Sequence, residues 1–295
     1  MTLGDATIKK FADLQTWKRD GERAPHKPLL ILLALGRLYQ GHDRLLAFTS
    51  VEHELSQLLV EFGPPRKSLH PEYPFWRLQR DNVWEVQVPH NLTLRQSNTD
   101  PLKSELRTAG VGGGFTEELY SVLKTHPEIG RTLAKTLLEA NFPVSLQREI
   151  AVAVGLDLDA TIRPVQRDAN FRREVISAWG HQCGFCGFDL KLDGADLGLE
   201  AAHIRWVQFG GPDMLDNGIC CCSIHHQALD RGAIGIDEDL RIIVSSKVYG
   251  GNYFREHFSI LHGSSLIKPS RSAAFPKAEF LRWHRKEVFR GEPRD

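Results

Sequence analysis

NGICCCSIHHQALD, residues 217–230, carries three consecutive cysteines (220–222) and two consecutive histidines (225 and 226). Both residue types bind metal ions, so how these five divide decides what the C-terminal half of the chain is. Structural tetrahedral zinc takes four Cys or His ligands, usually as two pairs that each sit on a tight turn. Cys222-Ser-Ile-His225 is one such pair. Upstream, Cys183-Gly-Phe-Cys186 has the same two-residue spacing, with Gly184 and Gly187 permitting the turn. All five cysteines of the chain fall between 183 and 222. In a reducing compartment that clustering suggests metal binding rather than a disulfide framework. The spacing therefore predicts a structural Zn²⁺ held by Cys183, Cys186, Cys222 and His225. Buried free thiols beside a surface histidine would not account for two pairs at one spacing. Cys220 and Cys221 are then surplus and read as small packing residues.

Three further residues surround these pairs: His203 in EAAHI, Asn217 in DNG and His226 directly after the second pair. Taken singly, each has a plain reading as a core or surface histidine, a turn asparagine and a neighbour of the zinc site. Together, CGFCG, EAAHI, GG and DNGICCCSIHH followed by Asp230 resemble the HNH (ββα-metal) nuclease family over about residues 170–240. His203, Asn217 and His226 fall on its three named positions, with 13 and 8 residues between them. The resemblance implies that His203 is the general base and that Asn217 holds the hairpin and orients that base. It also implies that His226 helps to hold a catalytic divalent cation, Mg²⁺ or Mn²⁺ or similar. Histidine suits the first role because it titrates near neutrality. Many family members place an acidic residue or histidine directly before the base as a second metal ligand; here that position is Ala202. Glu200 lies nearby, but residues 200 and 203 of a strand point to opposite faces, so Glu200 is not expected to ligate. Asp216 and Asp230 are weaker candidates, and Asp230 reads as a structural hydrogen-bond acceptor.

The remaining sequence is that of a globular protein. Its 295 residues, 41% hydrophobic and 25% charged, suffice for about two domains. The 37 basic and 37 acidic side chains cancel, so a nucleic-acid partner would have to be met by local patches. The start of the chain lacks the charged-then-apolar pattern of a leader, and the apolar run LLILLALG (29–36) is too short for a bilayer. Together these suggest a cytoplasmic protein. Apolar periodicity predicts helices at 6–17, 28–40, 50–62, 116–142, 145–154, 170–180 and 278–290. FWRLQRDNVWEVQV (75–88) alternates around Asp81-Asn82 and reads as a β-hairpin.

The N-terminal loops carry basic and aromatic residues together: APHKP at 24–28 and GPPRKSLHPEYPFWRLQ at 63–79. By composition alone these are solvated basic loops above a core containing Phe75 and Trp76. With KSELRTAGVGGGF and LLEANFPVSL, however, they resemble the sulfur-binding domain of phosphorothioate-dependent type IV restriction endonucleases of the McrA kind, over about residues 5–155. The resemblance implies an α+β protein. Residues 1–155 would form a mainly helical sulfur-binding domain with a small β-hairpin, 156–169 a linker, and 170–295 a ββα-metal nuclease domain. His26, Lys27, Tyr73 and Pro74 would form the phosphorothioate pocket, Tyr73 and Pro74 its apolar wall and His26 and Lys27 its polar rim. Arg66, Lys67, Ser68, Arg77 and Lys103 would contact the DNA backbone or bases. The expected partner is double-stranded DNA carrying phosphorothioate, with no membrane. A homodimer is expected because one active site cuts one strand, and the aromatic tail from Tyr249 to Phe289 offers contacts for it. Two other readings stay open: a non-catalytic DNA-binding regulator stapled by zinc, and an HNH nuclease that reads another mark such as methylcytosine.

Overall fold

The computed structural model describes residues 2–12, 14, 22, 24–89, 92, 100–156 and 169–294. The chain divides into two compact units, Met1–Phe142 with Gln147–Ile162, and Pro143–Leu146 with Arg163–Asp295. Most of the expected linker lies outside the described residues.

The first unit is built around the most apolar stretch of the sequence. Helix α1 (Leu3–Ala12) precedes α2 (His26–Tyr39), in which every residue from Leu29 to Leu35 is buried. A helix apolar on all sides belongs in the middle of a core, and truncating one of these side chains, such as Leu32→Ala, would cost roughly 2–5 kcal/mol. Around it run β1 (Leu46–Ala47), α3 (Phe48–Phe62), α4 (Glu72–Arg77), β2 (Trp84–Gln87), α5 (Lys103–Thr108) and β3 (Gly112–Phe115). They are followed by α6 (Glu117–Thr125), α7 (Pro127–Asn141) and α8 (Val144–Ala153). The single helix expected over 116–142 is divided at Pro127, which suits a first helical turn but not a helix interior.

The hairpin expected over 75–88 does not form. Residues 72–77 are helical, a 3₁₀ turn covers Leu78–Asp81, and Asn82 ends it at φ 55°. Phe75 and Leu78, three residues apart, are both buried, so the helical period outcompetes the alternation. Pro74 is tolerated because it lies in the first helical turn. Strand β2 finds its partner in the glycine run: Trp84 faces Phe115 and Gln87 faces Gly112 in an antiparallel pair, with β1 on the far edge of β3. The glycines are required there. A Cβ on Gly113 would come within 2.6 Å of the Phe75 ring, and one on Gly114 within 1.8 Å of the Arg44 carbonyl oxygen. Edge-on aromatic pairs Phe48–Phe75, Phe75–Trp84 and Trp84–Phe115 fill the space under this sheet.

The second unit holds α9 (Ala169–Ala178), a short pair β4 (Lys191–Leu192) and β5 (Ala195–Asp196), and then β6 (Leu199–His203) and β7 (Gly218–Cys222). Helix α10 (Ser223–Asp230) follows β7 without a loop. Strands β8 (Ile234–Ile236) and β9 (Ile242–Val244), then α11 (Asn252–His257) and α12 (Ala278–Glu287), complete it. Strands β6 and β7 pair antiparallel from Leu199↔Cys222 to His203↔Gly218. With α10 they form the expected ββα unit. Its core includes Val175, Trp179, Ile204, Ile219, Cys220 and Cys221. Phe280, Trp283 and Phe289 of the aromatic tail are buried in this unit, whereas Tyr249 and Tyr253 are exposed. Among the described residues no helix is long and apolar enough to cross a membrane.

Candidate functional site

The four residues of the two pairs meet. Ligand atoms of Cys183, Cys186, Cys222 and His225 all lie within 4.8 Å of one another. The first pair sits on a turn closed by Gly187 N–H donating to the Cys183 carbonyl (2.9 Å), with Gly187 at φ 74°. The second pair joins the end of β7 to the first turn of α10, where Cys222 Sγ and His225 Nδ1 are 3.2 Å apart. The other ring nitrogen, Nε2, points at the His257 carbonyl 3.4 Å away. That contact orients the ring with Nδ1 toward the sulfurs. Hydrogen bonds from Cys183, Cys186 and His225 hold the Cys222 thiol far below its usual range, while Cys183 is pushed far up. Three thiols this close cannot all ionise unless a cation joins them, so the donor set fits a metal such as zinc. Cys220 and Cys221 stand outside the cluster in the buried strand β7; burial pushes the Cys220 thiol up to about 12 and Cys221 well up too.

His203 ends β6, opposite Gly218, and its ring stacks on Phe171 of α9 at 4.1 Å. Its Nε2 lies 2.7 Å from the Asp213 carboxylate. Asn217 is fully buried: its amide oxygen accepts from Arg205 N–H (2.9 Å), and its NH₂ donates to the carbonyls of Arg205 and Pro212 (both 3.0 Å). It thereby closes the loop 204–217 and fixes Pro212, the residue before Asp213. Sequence reasoning missed Asp213, because only this loop closure brings it back to His203.

His226, on α10, is buried between two carboxylates. Glu200 Oε2 is 2.5 Å from its Nδ1 and Asp230 Oδ2 is 3.2 Å from its Nε2. Burial alone would lower its pKa, but Asp230 and then Glu200 outweigh burial and hold it up at about 9. Asp230 also accepts from the Trp206 indole N–H (3.0 Å), and Glu200 accepts from Ser223 Oγ (2.9 Å). Asp216 is engaged elsewhere, in an ion pair with Lys277 (2.7 Å).

In the first unit, His26 opens α2 just after Pro25. Burial, then the charges of Arg66 and His70, push its pKa down to about 4 against the opposing pull of Glu72. Its ring is therefore neutral at pH 7. Tyr73 stacks on His70 with ring centres 4.6 Å apart and carries the Arg77 guanidinium 4.3 Å from its own centre. Arg77 is fixed by Asp100 through Nε (2.8 Å) and Nη2 (2.6 Å). Pro74 is buried, while Arg66, Lys67 and Ser68 are exposed on the preceding loop. The structure thus brings His26, Arg66, His70, Tyr73 and Arg77 into one neighbourhood. Lys27 instead pairs with Asp81 (2.5 Å), and Lys103 pairs with Glu52 (2.9 Å), which Arg107 also grips. The anchoring acids Asp81 and Asp100 gave no local signal, since they lie 54 and 23 residues from their partners.

Comparison with known families matches the ScoMcrA-like DNA sulfur-binding domain to residues 4–159 and an HNH endonuclease domain to residues 183–237. Among solved structures, the sulfur-binding domain of ScoMcrA complexed with phosphorothioated DNA is 24% identical, covers 53% of this chain and 96% of its own, and has a TM-score of 0.45. The type IV phosphorothioation-dependent restriction endonuclease ScoMcrA is 23% identical over 66% of this chain, with a TM-score of 0.42; the match spans 40% of that protein. The modification-dependent TagI restriction endonuclease is 27% identical over 46% of this chain and 42% of its own, with a TM-score of 0.32. No curated protein matches the sequence.

Proposed function

This chain belongs to the ScoMcrA-like DNA sulfur-binding domain family and carries an HNH endonuclease domain, and from that premise we propose that it cuts phosphorothioated double-stranded DNA near the modification. Residues 1–155 would select the DNA, 156–169 would link, and 170–295 would hydrolyse the phosphodiester. The observation that supports the reading is the ββα unit, with His203 at the end of β6, Asn217 closing the loop before β7 and His226 on α10, beside a separate Cys₃His cluster.

Selection follows from solvation. Sulfur in place of a non-bridging oxygen makes one face of the phosphate larger, softer and less hydrated. A surface that is apolar at the sulfur and cationic beside it penalises the normal oxygen, which would lose water without gaining a partner. Tyr73 and Pro74 supply the apolar wall and neutral His26 a rim that need not be desolvated as a charge. Arg66, Lys67, Ser68 and Arg77 supply the contacts to phosphate and base edges. The ion pairs of Lys27 and Lys103 give these two lysines a smaller part.

For hydrolysis, Asp213 accepts from the Nε2–H of His203. This fixes the neutral tautomer with its lone pair on Nδ1, where it takes the proton of the attacking water. The Phe171 stack and the Asn217-closed loop hold that ring still. His226 would supply a nitrogen donor to a divalent cation such as Mg²⁺ or Mn²⁺, in surroundings where carboxylate oxygens, the donors these ions prefer, lie close by. Such a cation, when bound, would neutralise charge on the phosphate and the leaving oxygen. The Cys₃His site would hold Zn²⁺ as a structural brace. A homodimer would bring one active site to each strand.

The test pairs binding with cutting. Equilibrium binding to two duplexes that differ only in one sulfur should favour the modified one, and Tyr73→Ala or Pro74→Ala should shrink that preference. His203→Ala should bind like wild type and not cut. Selective binding without cutting by the wild type, in Mg²⁺ or Mn²⁺, would instead support a zinc-stapled DNA-binding regulator.

A further inference from the structure

The family pattern leaves the catalytic cation one protein ligand short, since Ala202 stands where many HNH domains carry a second ligand directly before the base. We infer that Glu200 is that ligand, and that Asp230 is a positioning residue for His226 rather than a ligand. The inference rests on the nuclease reading above and names the donor that completes its cation site.

Strand geometry supplies the first part. Side chains two residues apart share a face, so Glu200 shares its face of β6 with position 202 and not with His203. His203 packs on Phe171 of α9, whereas Glu200 reaches α10, where its two oxygens meet Ser223 Oγ and His226 Nδ1. The comparison that matters is therefore with Ala202. Ala202 is fully buried and too short to reach any ion, and Glu200, two residues earlier and one methylene longer than Asp, delivers a carboxylate oxygen to the helix instead. The 2.5 Å between Glu200 Oε2 and His226 Nδ1 would need to open only to about 3 Å for both to bind one divalent ion at about 2.1 Å each. Glu200 is also the open side of the pair: its side chain is 44% exposed, against 5% for His226 and 2% for Asp230. A cation, and a phosphate beyond it, can reach the Glu200 edge of the ring and not the Asp230 edge.

Asp230 answers a different need. It is buried on the opposite edge of the imidazole, and one of its oxygens is already taken by the Trp206 indole N–H. Accepting from His226 Nε2–H, it leaves Nδ1, which faces Glu200, as the nitrogen that gives up its proton when a cation binds, the usual role of a carboxylate behind a metal-ligating histidine.

The test reads cation binding directly, without cleavage. Mn²⁺ is titrated into the full-length, zinc-loaded protein, and the free ion is followed by its electron paramagnetic resonance signal. Zinc content and far-ultraviolet circular dichroism check that each variant is folded. Relative to wild type, Glu200→Gln should weaken Mn²⁺ binding by about tenfold or more, and His226→Ala should do the same. Glu200→Asp, which keeps the charge but shortens the reach, should also weaken it, so the inference stays testable should the glutamine variant misfold. Asp230→Asn retains an acceptor for Nε2–H and should weaken Mn²⁺ binding less than Glu200→Gln or His226→Ala does. Mn²⁺ affinity unchanged in both Glu200 variants but lost in His226→Ala would overturn the Glu200 assignment alone. Affinity unchanged in His226→Ala would overturn the cation site itself.

Discussion

Replacing His26 with glutamine removes a buried imidazole whose neutrality the first unit depends on. The folded protein holds that ring's pKa at about 4, against 6.5 for an ordinary histidine, mainly because burial disfavours the charged form and then because Arg66 and His70 repel it. The unfolded chain takes up the proton as pH falls through 6.5, while the folded chain does so only near pH 4. His26 therefore supports the fold fully above pH 6.5, and that support drains away as pH falls toward 4. At about 1.4 kcal/mol per pH unit the gap sets a ceiling of about 3 kcal/mol. Roughly 2 kcal/mol of it lies between pH 7.5 and pH 5. Urea unfolding of the full chain, followed by tryptophan fluorescence at these two pH values, reads the effect. Carboxylates and other histidines titrate equally in both proteins, so the quantity that matters is the difference between wild type and His26→Gln. The wild type should lose about 2 kcal/mol more than the variant on going to pH 5. Equal losses, or an NMR titration placing the His26 ring near 6.5, would refute the claim that this ring is kept neutral.

Three other outcomes follow from the second unit. Asn217→Ala removes three side-chain hydrogen bonds from a fully buried position; calorimetry should show that unit destabilised by about 3 kcal/mol, with cutting lost and zinc retained. Asp213→Ala should lower kcat about tenfold or more with little change in KM or in thermal stability, because Asp213 is half-exposed and acts through His203; a wild-type kcat would remove it from the site. Cys222→Ser, or a strong chelator, should release one equivalent of metal and unfold the second unit, while discrimination between modified and plain duplexes by the first unit persists.

The parts of this protein legible in its sequence were those with local signals. Two Cys/His pairs at one spacing announced the metal cluster, and apolar periodicity announced α2, α3, α7 and α8. The losses came where contacts set the outcome. GGGF does not look like a strand, since its glycines carry no β propensity, yet it is one because Phe75 and Arg44 press against it where a Cβ would be. With β3 available as a partner, β2 did not need the hairpin that the alternation over 75–88 suggested, and Phe75 and Leu78 were free to follow a helical period. For Glu200, strand alternation separates it from His203, and only the fold adds that it reaches Ser223 and His226 on α10. The sequence reading puts Lys27 on the pocket rim and Arg77 among the DNA contacts. Their acidic partners, Asp81 and Asp100, are distant in sequence, and only the fold shows which cation stands beside Tyr73.

The most direct test of the account is a competition. Two duplexes of identical sequence, one with a single non-bridging sulfur and each with its own label, are mixed in one tube with the full-length protein and Mn²⁺ or Mg²⁺. The sulfur-bearing duplex should be cut well ahead of its twin, and His203→Ala should cut neither. Equal rates for the two duplexes would contradict it.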